Sequence, residues 1–157
     1  MDYTLSVLVE NHPGVLARIS SLLSGRGFNI QSIAAGESED PSATRITMVV
    51  EGDDRIIDQV KKQVSRIVDV IRVIDLTDTP SVDRELALVK VSSAPSGRTE
   101  IFQIVDVFRA KTVDISQESL TIEVTGMTDK VDALLEMLKP FGIRQIVRTG
   151  QISMARG

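Results

Sequence analysis

Residues 3–9, Tyr3-Thr4-Leu5-Ser6-Val7-Leu8-Val9, alternate apolar with polar or smaller side chains. That is the period-two pattern of a strand with one buried face. Pro13 then opens a different period: Val15, Leu16, Ile19, Leu22 and Leu23 fall at helical spacing, and Gly25 and Gly27 close the stretch. Phe28 to Ala35 reads as a second strand. Gly36 to Ser42, with Glu37, Glu39, Asp40 and Pro41, reads as a polar turn. Ile46, Met48 and Val50 share one face of a third strand. Gly52-Asp53-Asp54 starts a second helix, capped by Asp53 and striped with Ile56, Ile57, Val60, Val64 and Ile67. Val70 to Leu76 closes the unit as a fourth strand, so the order is β-α-β-β-α-β.

After the polar segment Thr77-Asp78-Thr79-Pro80-Ser81 the order recurs. Leu86 to Val91 is a strand, and Ser96-Gly97 begins a helix with Ile101, Ile104, Val105 and Phe108 on one side. Val113 to Ile115 and Leu120 to Val124 read as two strands joined by a tight turn. Thr128-Asp129 caps a helix bearing Val131, Leu134, Leu135 and Leu138, which Pro140 ends. Ile143 to Ile152 gives one last strand. Two such units predict an α+β chain of two ferredoxin-like sandwiches, each an antiparallel sheet with two helices on one face. The expected domains are 1–77 and 82–157. Each is small enough that its other sheet face invites a partner, so self-association is expected.

Composition narrows the chemistry. The chain has 157 residues, 42% hydrophobic and 25% charged, enough to build a buried core. Its net charge is −4, from 18 Lys plus Arg against 22 Asp plus Glu, with four Phe, one Tyr and no Trp. Nucleic-acid binding calls for a basic excess and stacking for exposed aromatics, so no nucleic-acid partner is expected. The absence of Cys excludes disulfides, thiolate metal centres and thiol catalysis together. A single His leaves no His-based triad and argues against a metal site. No apolar run approaches the roughly 20 residues of a membrane span, and Met1-Asp2-Tyr3-Thr4 has no export-signal character. A bacterial cytoplasmic location and no membrane contact are therefore expected, although a trimmed organellar chain would read the same way.

The turn Asn11-His12-Pro13-Gly14-Val15-Leu16 carries most of the information about binding. Pro13 suits the first helical position, which leaves the amides of residues 14 to 16 without internal acceptors. No Asp or Glu stands in that first turn to answer the positive end of the helix dipole. Such an end accepts an external carboxylate, worth about 0.3–1 kcal/mol. Gly14 lets a ligand approach the backbone, and Asn11 offers a side-chain amide. The head of a free amino acid fits this set, but on these residues alone an ordinary strand-to-helix turn with an Asn cap is the favoured reading.

The remaining polar groups have plain explanations. His12 reads as an exposed turn residue and Asn29 as a strand-entry residue. Gly25 and Gly27 follow a helix, so they form a C-cap and not a phosphate loop. Glu37, Glu39 and Asp40 read as a solvated turn, and Lys61-Lys62 as a solvated helix face. Arg98 and Glu100 lie in a first helical turn, where Glu100 answers the helix dipole; local structure explains both, with a partner contact by Arg98 as the alternative. Arg144 and Arg148 read as protection of an edge strand.

Residues 3 to 35, with Glu10-Asn11-His12-Pro13-Gly14-Val15-Leu16 and Ser24-Gly25-Arg26-Gly27-Phe28-Asn29-Ile30, resemble the small regulatory subunit of acetolactate synthase, an ACT-domain family. The resemblance continues through Gly52-Asp53-Asp54 and Val68 to Leu76. It resumes at Arg84 to Leu88, Phe108 to Lys111, Thr121 to Gly126 and Pro140 to Ile143. It implies an N-terminal ACT domain, a second domain of related topology, and a homodimer whose ACT sheets join side by side.

By the same resemblance, Asn11, His12, Pro13, Gly14, Val15 and Leu16 of one protomer and Asn29 and Ile30 of the other would enclose valine or a related branched-chain amino acid. Gly14 would admit the carboxylate, Asn11 and Asn29 would bond the polar head, and Val15, Leu16 and Ile30 would touch the side chain. The chain itself would be non-catalytic and carry no cofactor. It would stimulate a large catalytic subunit bearing thiamine diphosphate, Mg2+ and FAD, and valine would withdraw that stimulation. Two rivals stand beside this reading. One is a free-standing ACT-type amino-acid sensor acting on another enzyme. The other is a small enzyme working through carboxylates such as Asp53, Glu118 or Glu123.

Overall fold

Strand β1 (Asp2–Glu10) carries the alternation predicted for it: Tyr3, Leu5, Val7 and Val9 are buried in one core. Helix α1 (Val15–Gly25) lays Val15, Ile19 and Leu23 on those side chains. Strands β2 (Asn29–Glu37) and β3 (Ala43–Glu51) follow, with Ile46, Met48 and Val50 facing inward. Helix α2 (Asp54–Ser65) adds Ile57, Val60 and Val64, and β4 (Val70–Asp75) completes the sheet. Asp53 caps α2 as predicted, its carboxylate accepting the Ile56 amide at 2.9 Å. The strand order is β2-β3-β1-β4, with every neighbouring pair antiparallel.

The computed structural model describes all 157 residues, and the order of elements repeats in a second unit. There β5 (Ser81–Ser92), α3 (Arg98–Val107), β6 (Lys111–Ile115), β7 (Ser119–Gly126), α4 (Thr128–Leu138) and β8 (Ile143–Arg148) build a sheet ordered β6-β7-β5-β8. Its core joins Ala87, Val89 and Val91 to Ile101, Val105, Leu120, Ile122, Leu134 and Leu138. The chain is therefore α+β, with β-α-β-β-α-β twice. No helix is long and apolar enough to cross a membrane.

Three details differ from expectation. The predicted strand from Ile143 to Ile152 is two strands, β8 and β9 (Ile152–Ala155), because Gly150 adopts φ +80° between them. Strand β9 pairs with β5, and the Arg156 amide donates to the Pro80 carbonyl. Residues 151–157 consequently group with Met1–Val82, and the second unit is Asp83–Gly150 instead of 82–157. The N-cap of α4 falls at Met127, with Thr128 already helical, while the Asp129 carboxylate accepts the Lys130 amide at 2.8 Å in the first turn.

Two arginines are also committed inside the fold. Arg98, for which local structure is the favoured reading, donates to the carbonyls of Ser116 and of Gln117 (3.0 Å), so it ties down the β6–β7 turn. Arg148 lies on the edge strand β8, but it pairs with the buried Glu85 and, at 2.9 Å, with Asp132.

Candidate functional site

Residues 10–18 of the first unit form a pinned turn. The Glu10 amide donates to the Asp69 carbonyl and the Asn11 amide to the Ser42 carbonyl, each at 2.8 Å. Gly14 then takes φ +85°, a left-handed conformation that glycine reaches without strain. That angle is not helical, so Gly14 is the N-cap and α1 begins at Val15, two residues later than the Pro13 start predicted from sequence. The expectation of an open helix end shifts by the same step. No side chain caps α1, no acid stands in its first turn, and the amides of Gly14, Leu16 and Ala17 have no acceptor within the chain. A Cβ built on Gly14 meets nothing within 4 Å, so there is open space beside Gly14 itself.

The predicted site residues divide by what the fold does with them. Asn11 is exposed and its side chain makes no hydrogen bond within the chain, so its amide is available to a ligand. Pro13 is exposed beside it, and Leu16 is 44% exposed. Val15, expected to touch a ligand, is 3% exposed and belongs to the core. Ile30 pairs across the sheet with Val50 and packs against the same core. Of the three apolar side chains expected to face a ligand, Leu16 is the one this chain leaves open. Asn29 opens edge strand β2, and its Nδ2 donates to Glu51 at 2.8 Å.

His12 is more than a free turn residue. Its ring is exposed, yet Nδ1 stands 3.1 Å from Asp69 and 3.5 Å from Glu10. Asp69, only 8% exposed, also accepts from Arg18 of α1 at 2.6 Å. One carboxylate thus holds the turn from both sides, through His12 before Gly14 and Arg18 after it. Glu10, His12 and Asp69 place ligand atoms within 4.8 Å of one another, a set a metal ion could use. The Arg18 guanidinium already supplies Asp69 with positive charge, so the cluster acts as an ion-pair clamp. The sequence reading missed Asp69 because nothing in Val68-Asp69-Val70 marks a buried acid.

Removing that clamp has a measurable consequence. Asp69→Ala deletes two charge-assisted contacts and is expected to lower the stability of the first unit by about 1–3 kcal/mol in urea unfolding. Amide hydrogen exchange over residues 11–18 should rise in the variant. Unchanged exchange there would show that Asp69 does not hold the turn.

The carboxylates of the enzyme rival serve ordinary structural positions. Asp53 caps α2, Glu118 lies in the β6–β7 turn, and Glu123 pairs across the sheet with Lys111.

Comparison with known proteins gives the family. A family model described as an AHAS small subunit-like ACT domain matches residues 5–72. Another, described as the small subunit of acetolactate synthase, matches residues 84–157. The acetolactate synthase small subunit of Mycolicibacterium smegmatis is 50% identical over 155 residues, covering 99% of this chain and 91% of the relative. The chain belongs to the acetolactate synthase small-subunit family. A probable acetolactate synthase small subunit from Archaeoglobus fulgidus is 46% identical over 157 residues, covering 100% of this chain and 98% of the relative. The crystal structure of the acetolactate synthase small subunit from Thermotoga maritima superposes with a TM-score of 0.91 at 41% identity, covering 100% of this chain and 98% of that one. Within this family the first unit is the ACT domain, and the turn 10–18 joins the first strand of that domain to its first helix.

Proposed function

We propose that this chain is the regulatory subunit of acetolactate synthase, stimulating the catalytic subunit and carrying feedback inhibition by valine or another branched-chain amino acid. The observation that carries the reading is the open N-terminus of α1 behind Gly14, beside an Asn11 amide with no partner, in a chain of this family. The effector carboxylate meets the free amides of Gly14, Leu16 and Ala17, and Asn11 bonds its polar head. Leu16 covers the aliphatic side chain. Asn29 comes from a second copy of the chain, so the site is completed by homodimerisation through the edge strand β2. Thiamine diphosphate, Mg2+ and FAD belong to the catalytic partner in this scheme, and no residue of this chain is assigned to them.

Regulation requires only that valine bind two forms of the dimer unequally. A coupling of about 1–3 kcal/mol shifts the balance by 5- to 150-fold. Burying the isopropyl group supplies roughly 1.5–3 kcal/mol, enough to favour valine over glycine or alanine.

A thermal-shift panel of the twenty amino acids tests the binding step. Ligand at about 100 times its dissociation constant stabilises by roughly 2.7 kcal/mol. At about 2–4 °C per kcal/mol, the melting temperature should rise by something on the order of 5–10 °C with valine and its branched relatives. No shift with any amino acid, for the chain alone and for its complex with the catalytic subunit, contradicts the reading. Capture of the catalytic subunit by the tagged chain separates this function from a free-standing ACT sensor, for which no such complex forms.

A further inference from the structure

Asn29 and Gln31 leave the edge strand β2 on the same side, and both amides meet one carboxylate. Asn29 is the register partner of Glu51, the last residue of β3. Its Nδ2 lies 2.8 Å from Glu51 Oε2, and Gln31 Nε2 lies 3.3 Å from the same oxygen. An asparagine amide can be turned end for end with almost no change of shape, so its orientation is set by what it bonds. An ionised carboxylate only accepts hydrogen bonds. Facing Glu51, Asn29 must therefore present its NH2 group to the carboxylate, which leaves its Oδ1 without a donor within the chain. The Glu51 carboxyl stays ionised over the whole neutral range, because the Asn29 bond first and the Gln31 bond second hold it below the usual carboxylate value.

We propose that Glu51 is a positioning residue of the effector site: it locks the Asn29 amide so that the site offers an acceptor there and selects a ligand bearing a donor, the α-ammonium group of an amino acid. The inference rests on the effector reading above and adds the chemical basis of its ligand class. The α1 N-terminus recognises the carboxylate, common to amino acids and their oxo-acid analogues. Asn29 Oδ1 recognises the group that distinguishes them. A ligand with the same carbon skeleton and a carbonyl oxygen in place of the ammonium would set acceptor against acceptor.

The test compares valine with 3-methyl-2-oxobutanoate by titration calorimetry on the full-length wild type, Glu51→Gln and Glu51→Ala. The wild type is expected to prefer valine at least tenfold. In both variants valine should weaken by about tenfold while the oxo acid changes little, so the preference collapses. Gln at 51 keeps the size of the side chain but can itself donate, which frees Asn29 to turn. Unchanged valine affinity and unchanged preference in both variants would overturn the proposal.

A second measurement needs no ligand. The Asn29 side-chain amide resonances in 15N-labelled protein should shift as Glu51 is titrated with acid, and should be insensitive to acid in Glu51→Gln. Amide resonances that do not respond in the wild type refute the lock whatever valine does. A lock that holds by this criterion in a chain that binds no valine would instead refute the effector reading, and with it the ligand class assigned here.

Discussion

Gly14→Asp is expected to reduce valine affinity by at least 100-fold while leaving the fold intact. Gly14 sits at φ +85°, where any Cβ carries roughly 1–2 kcal/mol of conformational strain. Aspartate offsets part of that cost, because its carboxylate at the N-cap of α1 accepts an amide of the first turn and answers the helix dipole. The same carboxylate then occupies the amides that valine would use and repels the ligand's own charge. Gly14→Ala separates the two effects. It carries the strain without the charge, so it should be the less stable of the two variants yet keep valine affinity within a few-fold of wild type. Calorimetry for binding and urea melts for stability give both numbers. If alanine abolishes binding as completely as aspartate, backbone conformation and not the open helix end controls the site.

Arg148→Ala should cause the largest loss of stability in the second unit, about 3–5 kcal/mol at neutral pH. Arg148 donates to Glu85 through Nε at 3.0 Å and through Nη2, and to Asp132 at 2.9 Å. Burial pushes the guanidinium towards losing its proton, but the bonds to Glu85 and Asp132 outweigh that and hold it charged. Glu85 is 4% exposed, so deleting its partner leaves a buried, uncompensated negative charge, the costly way to break an ion pair. Adding Glu85→Gln to the variant should recover much of the loss at pH 7. A loss below about 1 kcal/mol, or one that Glu85→Gln does not relieve, would mean that the pair adds little beyond an exposed one.

The parts of the fold legible in the sequence were those that repeat. Alternation in residues 3–9 and the stripe Ile57, Val60, Val64 fixed β1 and α2, because burial on one face is the force that selects those periods. Element ends were less legible. The α1 start moved from Pro13 to Val15 because Gly14 turns left-handed, and Ile143 to Ile152 broke in two at Gly150 for the same reason. Glycine permits positive φ without announcing it.

At the candidate site, the open helix end was readable because it depends on missing acids, which a sequence displays directly. The groups that orient the site were not. Asp69 meets His12 and Arg18 from 57 and 51 residues away, and Glu51 meets Asn29 across 22. Val15 and Ile30 were ambiguous in the other direction. Their apolar character suits a ligand pocket and a protein core alike; in this chain Val15 is buried in the core and Ile30 packs partly against it.

One reconstitution tests the central claim most directly. The chain is mixed with the catalytic subunit of acetolactate synthase, supplied with thiamine diphosphate, Mg2+ and FAD, and turnover of pyruvate is followed as valine is added. The account predicts that the chain raises turnover above that of the catalytic subunit alone. It also predicts that valine withdraws the gain for the wild type and leaves it intact for Gly14→Asp. A stable complex whose activity is indifferent to valine, or equal inhibition of wild type and Gly14→Asp, would contradict it.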